Sequence, residues 1–206
     1  MTATSDVQGQ MGRLETRLTV PPTAKVGQVA VVCHPHPLFG GTMDNKVVTT
    51  IVRAYKEKGL PVVTFNFRGV GQSEGKHDNG VGEVDDVIAV ITWALAQTQA
   101  TELYLAGFSF GSFIAAAAVS RLSALPIQLK QLVLIAPPVH HYPFAAFDLP
   151  TATLIIQGDA DEVVPADEVF DWADQKALKV VRFEGCSHFF HGRLPELRQS
   201  ILENHV

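Results

Sequence analysis

Leu103-Tyr104-Leu105-Ala106-Gly107-Phe108-Ser109-Phe110-Gly111 is the segment that decides how this chain folds. It opens as an apolar run and ends as a serine between two glycines, and Ala115–Ala118 follow closely. An apolar strand that turns sharply into an Ala-rich helix leaves the serine on the turn. Side chains at Gly107 and Gly111 would strike neighbouring backbone there, so the G-x-S-x-G spacing has a steric reason. The same turn sets Ser109 at a helix N-terminus, where N–H groups, that of Phe110 foremost, face developing negative charge. Chance alone yields the pattern in about one chain of this composition in twenty. Its weight therefore comes from lying between a strand and a helix.

On either side of this segment, short β-branched runs alternate with stretches of helical period. The runs are Val29–Val32, Val62–Phe67, Leu132–Ile135, Leu154–Ile156 and Val180–Phe183. They are almost wholly apolar, as strands covered on both faces must be. Arg13–Val20 alternates instead and reads as an antiparallel edge strand. Val47, Val48, Ile51, Val52 and Tyr55 form one helical stripe, stopped at Gly59, and Val84, Val87, Ile88, Ile91 and Leu95 form another. The expected fold class is α/β, a mostly parallel sheet with helices on both faces. Glu83, Asp85 and Asp86 place negative charge at the positive pole of the second helix, a role preferred to a metal site.

With 206 residues, 47% of them hydrophobic and 18% charged, the chain is expected to be globular, with residues 13–206 as a single domain and 1–12 as a flexible tail. A net charge of -5 and the lack of a basic stripe argue against nucleic acid as a partner. No apolar stretch reaches the roughly 18 residues of a membrane span, and no secretory signal is recognisable at Met1–Gly12. The expectation is a cytoplasmic protein with no membrane partner and an undetermined oligomeric state. Cys33 and Cys186 are too few for a disulfide framework and read as apolar fillers.

Taken together, these residues resemble the α/β-hydrolase superfamily from Val29 onward. In that family the nucleophile is followed by an acid and then a histidine. Gly158-Asp159-Ala160-Asp161-Glu162-Val163-Val164-Pro165 is similar to the acid loop, which implies Asp161, with Asp159 as a rival. Gly185-Cys186-Ser187-His188 is similar to the histidine loop, which implies His188 as general base, with His191 as a weaker alternative and His205 set aside in the terminal tail. His34-Pro35-His36-Pro37-Leu38-Phe39-Gly40-Gly41 stands where the family carries its oxyanion loop. Pro35 and Pro37 have no N–H, so the second oxyanion donor beside that of Phe110 must be a neighbour, and matching positions to the family implies His36, with Leu38 as fallback. Zinc on His34 and His36 is the metal-dependent alternative.

Asn66-Phe67-Arg68-Gly69-Val70-Gly71-Gln72-Ser73 is similar to another family turn, with Asn for its usual Asp, and Arg68 is expected to hold loops together. The wider pattern of His34–Val48 and Gly107–Ser112 resembles a compact bacterial subgroup of largely uncharacterised members. The interval Pro137–Pro150 is too short for a helical cap, so the site is expected to be open and free of a cap domain. Tyr142, Phe144 and Phe147 are pocket candidates, whereas His140 and His141 read as exposed loop residues. The resemblance implies a serine hydrolase of small soluble carboxylic esters, needing no cofactor. Thioesterase, amidase or peptidase chemistry uses the same residues, and a ligand-binding scaffold with vestigial chemistry is the non-enzymatic alternative.

Overall fold

The computed structural model describes residues 1–206. Its elements in chain order are β1 (Thr2–Gly9), β2 (Gly12–Thr19), β3 (Gln28–Cys33), α1 (Lys46–Glu57), β4 (Val62–Phe65), α2 (Val81–Thr98), β5 (Glu102–Phe108), α3 (Phe110–Leu122), β6 (Gln128–Ile135), β7 (Thr153–Gly158), α4 (Ala166–Gln175), β8 (Lys179–Phe183) and α5 (Leu194–Glu203). The eight strands form one sheet in the order β1-β2-β4-β3-β5-β6-β7-β8. From β4 to β8 across the sheet the pairing is parallel, while β2 runs antiparallel to both β1 and β4.

Strand side chains point alternately to the two faces. Val29, Val31 and Cys33 enter one core with Val87 and Ile91 of α2, Ile114 of α3 and Val169 of α4. Ala30 and Val32 enter the other with Val48 and Ile51 of α1 and Leu197 and Ile201 of α5. Burial on both faces is why these strands read as unbroken apolar runs. Helix α1 starts where the Asn45 side chain accepts the Val47 N–H at 2.8 Å, and ends as Gly59 takes a φ of 81°. Helix α2 buries Val90 and Ala94 beside Val87, Ile91 and Leu95, while the expected Val84 and Ile88 lie half-buried at its margin.

Two expectations need correction. The opening segment is strand β1 rather than a tail, paired along its length with β2 from Thr2 opposite Thr19 to Gly9 opposite Gly12. Backbone hydrogen bonds and the buried Val7 hold it, and neither requires an apolar pattern. Arg13–Val20 is therefore antiparallel but internal, because β1 takes the edge. Between β6 and β7 the chain makes only a short 3-10 turn at Phe144–Ala146, so no cap domain covers the sheet.

The connections from β3 and β5 diverge. α1 carries the chain from β3 to β4 over one face, and α3 carries it from β5 to β6 over the other. A crevice opens at the carboxyl ends of adjacent strands where connections part this way, and ligands of open α/β sheets bind there.

Candidate active site

Ser109 stands at the carboxyl end of β5 with φ 53° and ψ -122°, a positive-φ conformation that costs a non-glycine residue ~1–3 kcal/mol. Its surroundings leave no alternative. The Ser109 N–H donates to the Ile135 carbonyl at 2.8 Å, and the Ser109 carbonyl accepts the Ser112 N–H at 2.8 Å and the Ser112 hydroxyl at 2.5 Å. A Cβ at Gly107 would lie 2.1 Å from the Gly111 carbonyl oxygen, and one at Gly111 would lie 2.4 Å from that of Cys33. Both glycines are thus required by close backbone approach, and the turn that they permit lifts the serine side chain out of the sheet.

Asp161 follows β7 and His188 follows β8, so both arrive at the same edge of the sheet as Ser109. His188 Nδ1 lies 2.8 Å from Asp161 Oδ2, and His188 Nε2 lies 3.1 Å from the Ser109 hydroxyl. The line acid, imidazole, hydroxyl can pass a proton from oxygen to ring nitrogen while the carboxylate fixes the tautomer. Asp161 Oδ1 accepts the N–H groups of Val163 and Val164, at 2.9 and 2.8 Å, and the Gln157 amide donates at 3.0 Å to Oδ2, the oxygen that also faces His188. Burial alone would raise its pKa. The bond and charge of His188, with the two N–H groups, outweigh burial and lower it. Asp159, the rival, accepts the Gly185 N–H at 2.6 Å and braces the two loops. His191 is exposed beyond Phe189, and His205 is folded in, its ring stacked on Tyr104 at 4.7 Å.

The loop after β3 is anchored by His34. Its Nε2 accepts the Phe67 N–H at 3.0 Å, which leaves the proton on Nδ1, 2.6 Å from the Pro35 carbonyl. Complete burial lowers the pKa of this imidazole to about 4. Both ring nitrogens are engaged, so no lone pair is left for zinc, and no group of His, Cys, Asp or Glu in the molecule is arranged to hold a metal. The Leu38 N–H is spent on His36 Nδ1 at 3.2 Å, whereas the N–H groups of His36 and Phe110 have no acceptor within the chain. A Cβ at Gly41 would sit 2.1 Å from the Pro35 carbonyl oxygen, so the loop closes tightly on itself.

Arg68 lies behind this loop rather than in the crevice. Its Nε and Nη2 donate to the two carboxylate oxygens of Asp86 at 3.0 and 2.8 Å, and Nη2 also reaches the Gly82 carbonyl at 2.6 Å. Hydrogen bonding to Asp86 raises the guanidinium pKa further. The acidic cluster is thereby accounted for: Asp86 holds Arg68, Asp85 pairs with Arg121, and Glu83 accepts the N–H groups of Asp78 and Gly80 at 2.8 Å. Cys33 and Cys186 are buried and unpaired, and burial raises both thiol pKa values.

Two compartments meet at Ser109. One, of about 330 Å³, is lined by His188 and Phe189 together with Pro35, Gly40, Gly41 and Asn45. The other, of about 250 Å³, is lined by Phe110, Pro138, His140, His141, Tyr142 and Val164. His36, Phe39 and Val163 border both. Sequence reasoning missed the Gln157 contact and the exposed apolar rim made by Leu38, Phe39, Val163 and Phe189. It also assigned the aromatic residues unevenly: Tyr142 reaches the crevice, but Phe144 packs into the core against Trp172 at 5.2 Å and Phe147 packs on Phe113. His140 and His141 are exposed as expected, yet they line the second compartment. No local pattern distinguishes a loop histidine at a crevice from any other.

The family model described as alpha/beta hydrolase fold matches residues 35–153. XC6422 from Xanthomonas campestris, an a/b serine hydrolase without lid, is similar in structure, with a TM-score of 0.92 at 40% identity over 98% of this chain and 93% of that one. An alpha-beta serine hydrolase homologue from Coxiella burnetii gives a TM-score of 0.89 at 44% identity over 99% of this chain and 97% of its own. An uncharacterised protein of Rickettsia prowazekii is 37% identical over 205 residues, covering 94% of this chain and 84% of the relative.

Proposed function

Because the chain belongs to the alpha/beta hydrolase family, we propose that it is a serine hydrolase cleaving small soluble carboxylic esters through an acyl-enzyme on Ser109. The observation that carries the proposal is the continuous line Asp161, His188, Ser109, with contacts of 2.8 and 3.1 Å. In the first half-reaction the Ser109 oxygen attacks the ester carbonyl while His188 Nε2 takes its proton. The carbonyl oxygen becomes an oxyanion that accepts from the His36 and Phe110 N–H groups, both free for that purpose. Collapse of the tetrahedral intermediate breaks the bond to the alcohol, which leaves with the proton from His188. In the second half-reaction His188 deprotonates a water, which attacks the acyl-enzyme, and the carboxylic acid departs as Ser109 regains its proton.

Asp161 holds Nδ1 protonated and stabilises the imidazolium without taking the proton itself. No step calls on a metal or an organic cofactor. The two compartments beside Ser109, of about 330 and 250 Å³, support a small ester.

A fluorophosphonate probe tests this reading. We expect one phosphonyl group per chain, on the peptide containing Ser109, with loss of p-nitrophenyl acetate hydrolysis in proportion to labelling. An unlabelled serine in a folded protein would count against a working nucleophile and in favour of a ligand-binding scaffold.

A further inference from the structure

The two compartments at Ser109 are chemically unlike, and the proton path says which part of an ester each receives. The leaving oxygen takes its proton from His188 Nε2, so the alcohol lies in the compartment lined by His188 and Phe189. The compartment that lacks His188 then receives the acyl group. This assignment rests on Ser109 and His188 acting as proposed above.

The acyl compartment is walled by rings. His36, Phe39, Phe110, His140, His141 and Tyr142 all line it, and no carboxylate does. The rings also fix one another. Tyr142 stacks on Phe113 at 4.1 Å with an interplanar angle of 10°, and His141 meets Tyr142 edge-on at 4.8 Å and 88°. Phe110 is the hub, with the ring of His36 at 4.9 Å and that of Tyr142 at 5.9 Å. Walls of this kind are preorganised before a ligand arrives, and π-faces and edges contact a flat ring over more area than they contact a puckered or branched chain. A volume of about 250 Å³ holds one aromatic ring with a short substituent.

We infer that the Tyr142 side of the crevice is an acyl slot for planar aryl groups, and that the natural substrates are esters of aromatic carboxylic acids. The imidazoles of His140 and His141 border the slot and offer hydrogen-bonding groups to a polar ring substituent.

The test compares p-nitrophenyl benzoate with p-nitrophenyl cyclohexanecarboxylate, which share a leaving group and differ in planarity. Each kcat/KM is divided by the rate of hydroxide-catalysed hydrolysis of the same ester, which removes intrinsic reactivity. The slot predicts that the unmodified protein favours the benzoate by about tenfold or more. Tyr142→Leu should bring the ratio close to one, and Tyr142→Phe, which keeps the ring, should retain it. A ratio at or below one in the unmodified protein, or an unchanged ratio in Tyr142→Leu, overturns the slot and leaves the Ser109 reading standing when acetate is still hydrolysed and the probe still labels. Absence of both labelling and acetate hydrolysis overturns the two readings together.

Discussion

His34 Nε2 accepts the N–H of Phe67 at 3.0 Å, and this bond joins the loop after β3 to the turn after β4. The histidine must stay neutral to make it, and burial lowers its pKa from 6.5 to about 4. Between those values the unfolded chain binds the proton and the folded chain does not, so stability rises with pH across that window and is lost as pH falls through it. From pH 7 to about pH 5 the contribution lost is ~2 kcal/mol, at ~1.4 kcal/mol per pH unit. His205, lowered to about 4 by burial with Lys58 and Lys25 nearby, adds in the same direction. Urea unfolding at the two pH values should show a smaller difference for His34→Gln than for the unmodified chain. Equal differences would remove His34 from the explanation.

The Arg68 and Asp86 pair is nearly sealed from solvent, with 5% and 1% of the side chains exposed. Arg68→Met strands a buried carboxylate and should cost ~3–5 kcal/mol in urea unfolding. Adding Asp86→Leu should recover most of that loss, because the penalty belongs to the orphaned charge. A double variant no more stable than Arg68→Met would contradict this.

Gly107 and Gly185 give a matched contrast. A Cβ at Gly107 meets backbone at 2.1 Å, while one at Gly185, despite a φ of 61°, meets nothing within 4 Å. Gly107→Ala should therefore destabilise by ~3 kcal/mol or more and Gly185→Ala by only ~1 kcal/mol. Thermal or urea unfolding of the two variants decides it, and equal losses would sink the steric account of the turn.

The fold was readable in the sequence where burial imposes a pattern and obscure where it does not. β3 to β7 carry apolar runs buried on both faces, and β8 packs Val180 and Val181 on opposite faces, so these runs stand out. β1 buries Val7 as its one large apolar side chain and is held by its backbone ladder to β2, which leaves no trace in side-chain type. Ser109 could be singled out by its place between a strand and a helix, and Asp161 and His188 because their loops resemble the acid and histidine loops of the family. Tyr142, Phe144 and Phe147 could not be told apart, since three aromatics in one short loop divide between crevice and core only when the loop is folded. Gln157 lies inside a buried strand, and its bond to Asp161 appears only once β7 and the acid loop are in place.

Asp161→Asn keeps the shape but replaces a carboxylate by an amide that cannot hold Nδ1 protonated in the same way. Despite burial, the hydrogen bond and charge of His188, with the N–H groups of Val163 and Val164, favour the charged form and lower the Asp161 pKa. Turnover of p-nitrophenyl acetate should fall by about 10⁴-fold with little change in KM. A fall of less than tenfold would mean that the carboxylate does not orient the imidazole during the reaction.

Replacement of the hydroxyl that faces His188 tests the central claim most directly. With Ser109→Ala, correctly folded by circular dichroism, the account predicts that kcat for p-nitrophenyl acetate falls by about six orders of magnitude, down to the solvent background. Hydrolysis by that variant at the rate of the unmodified protein would contradict it.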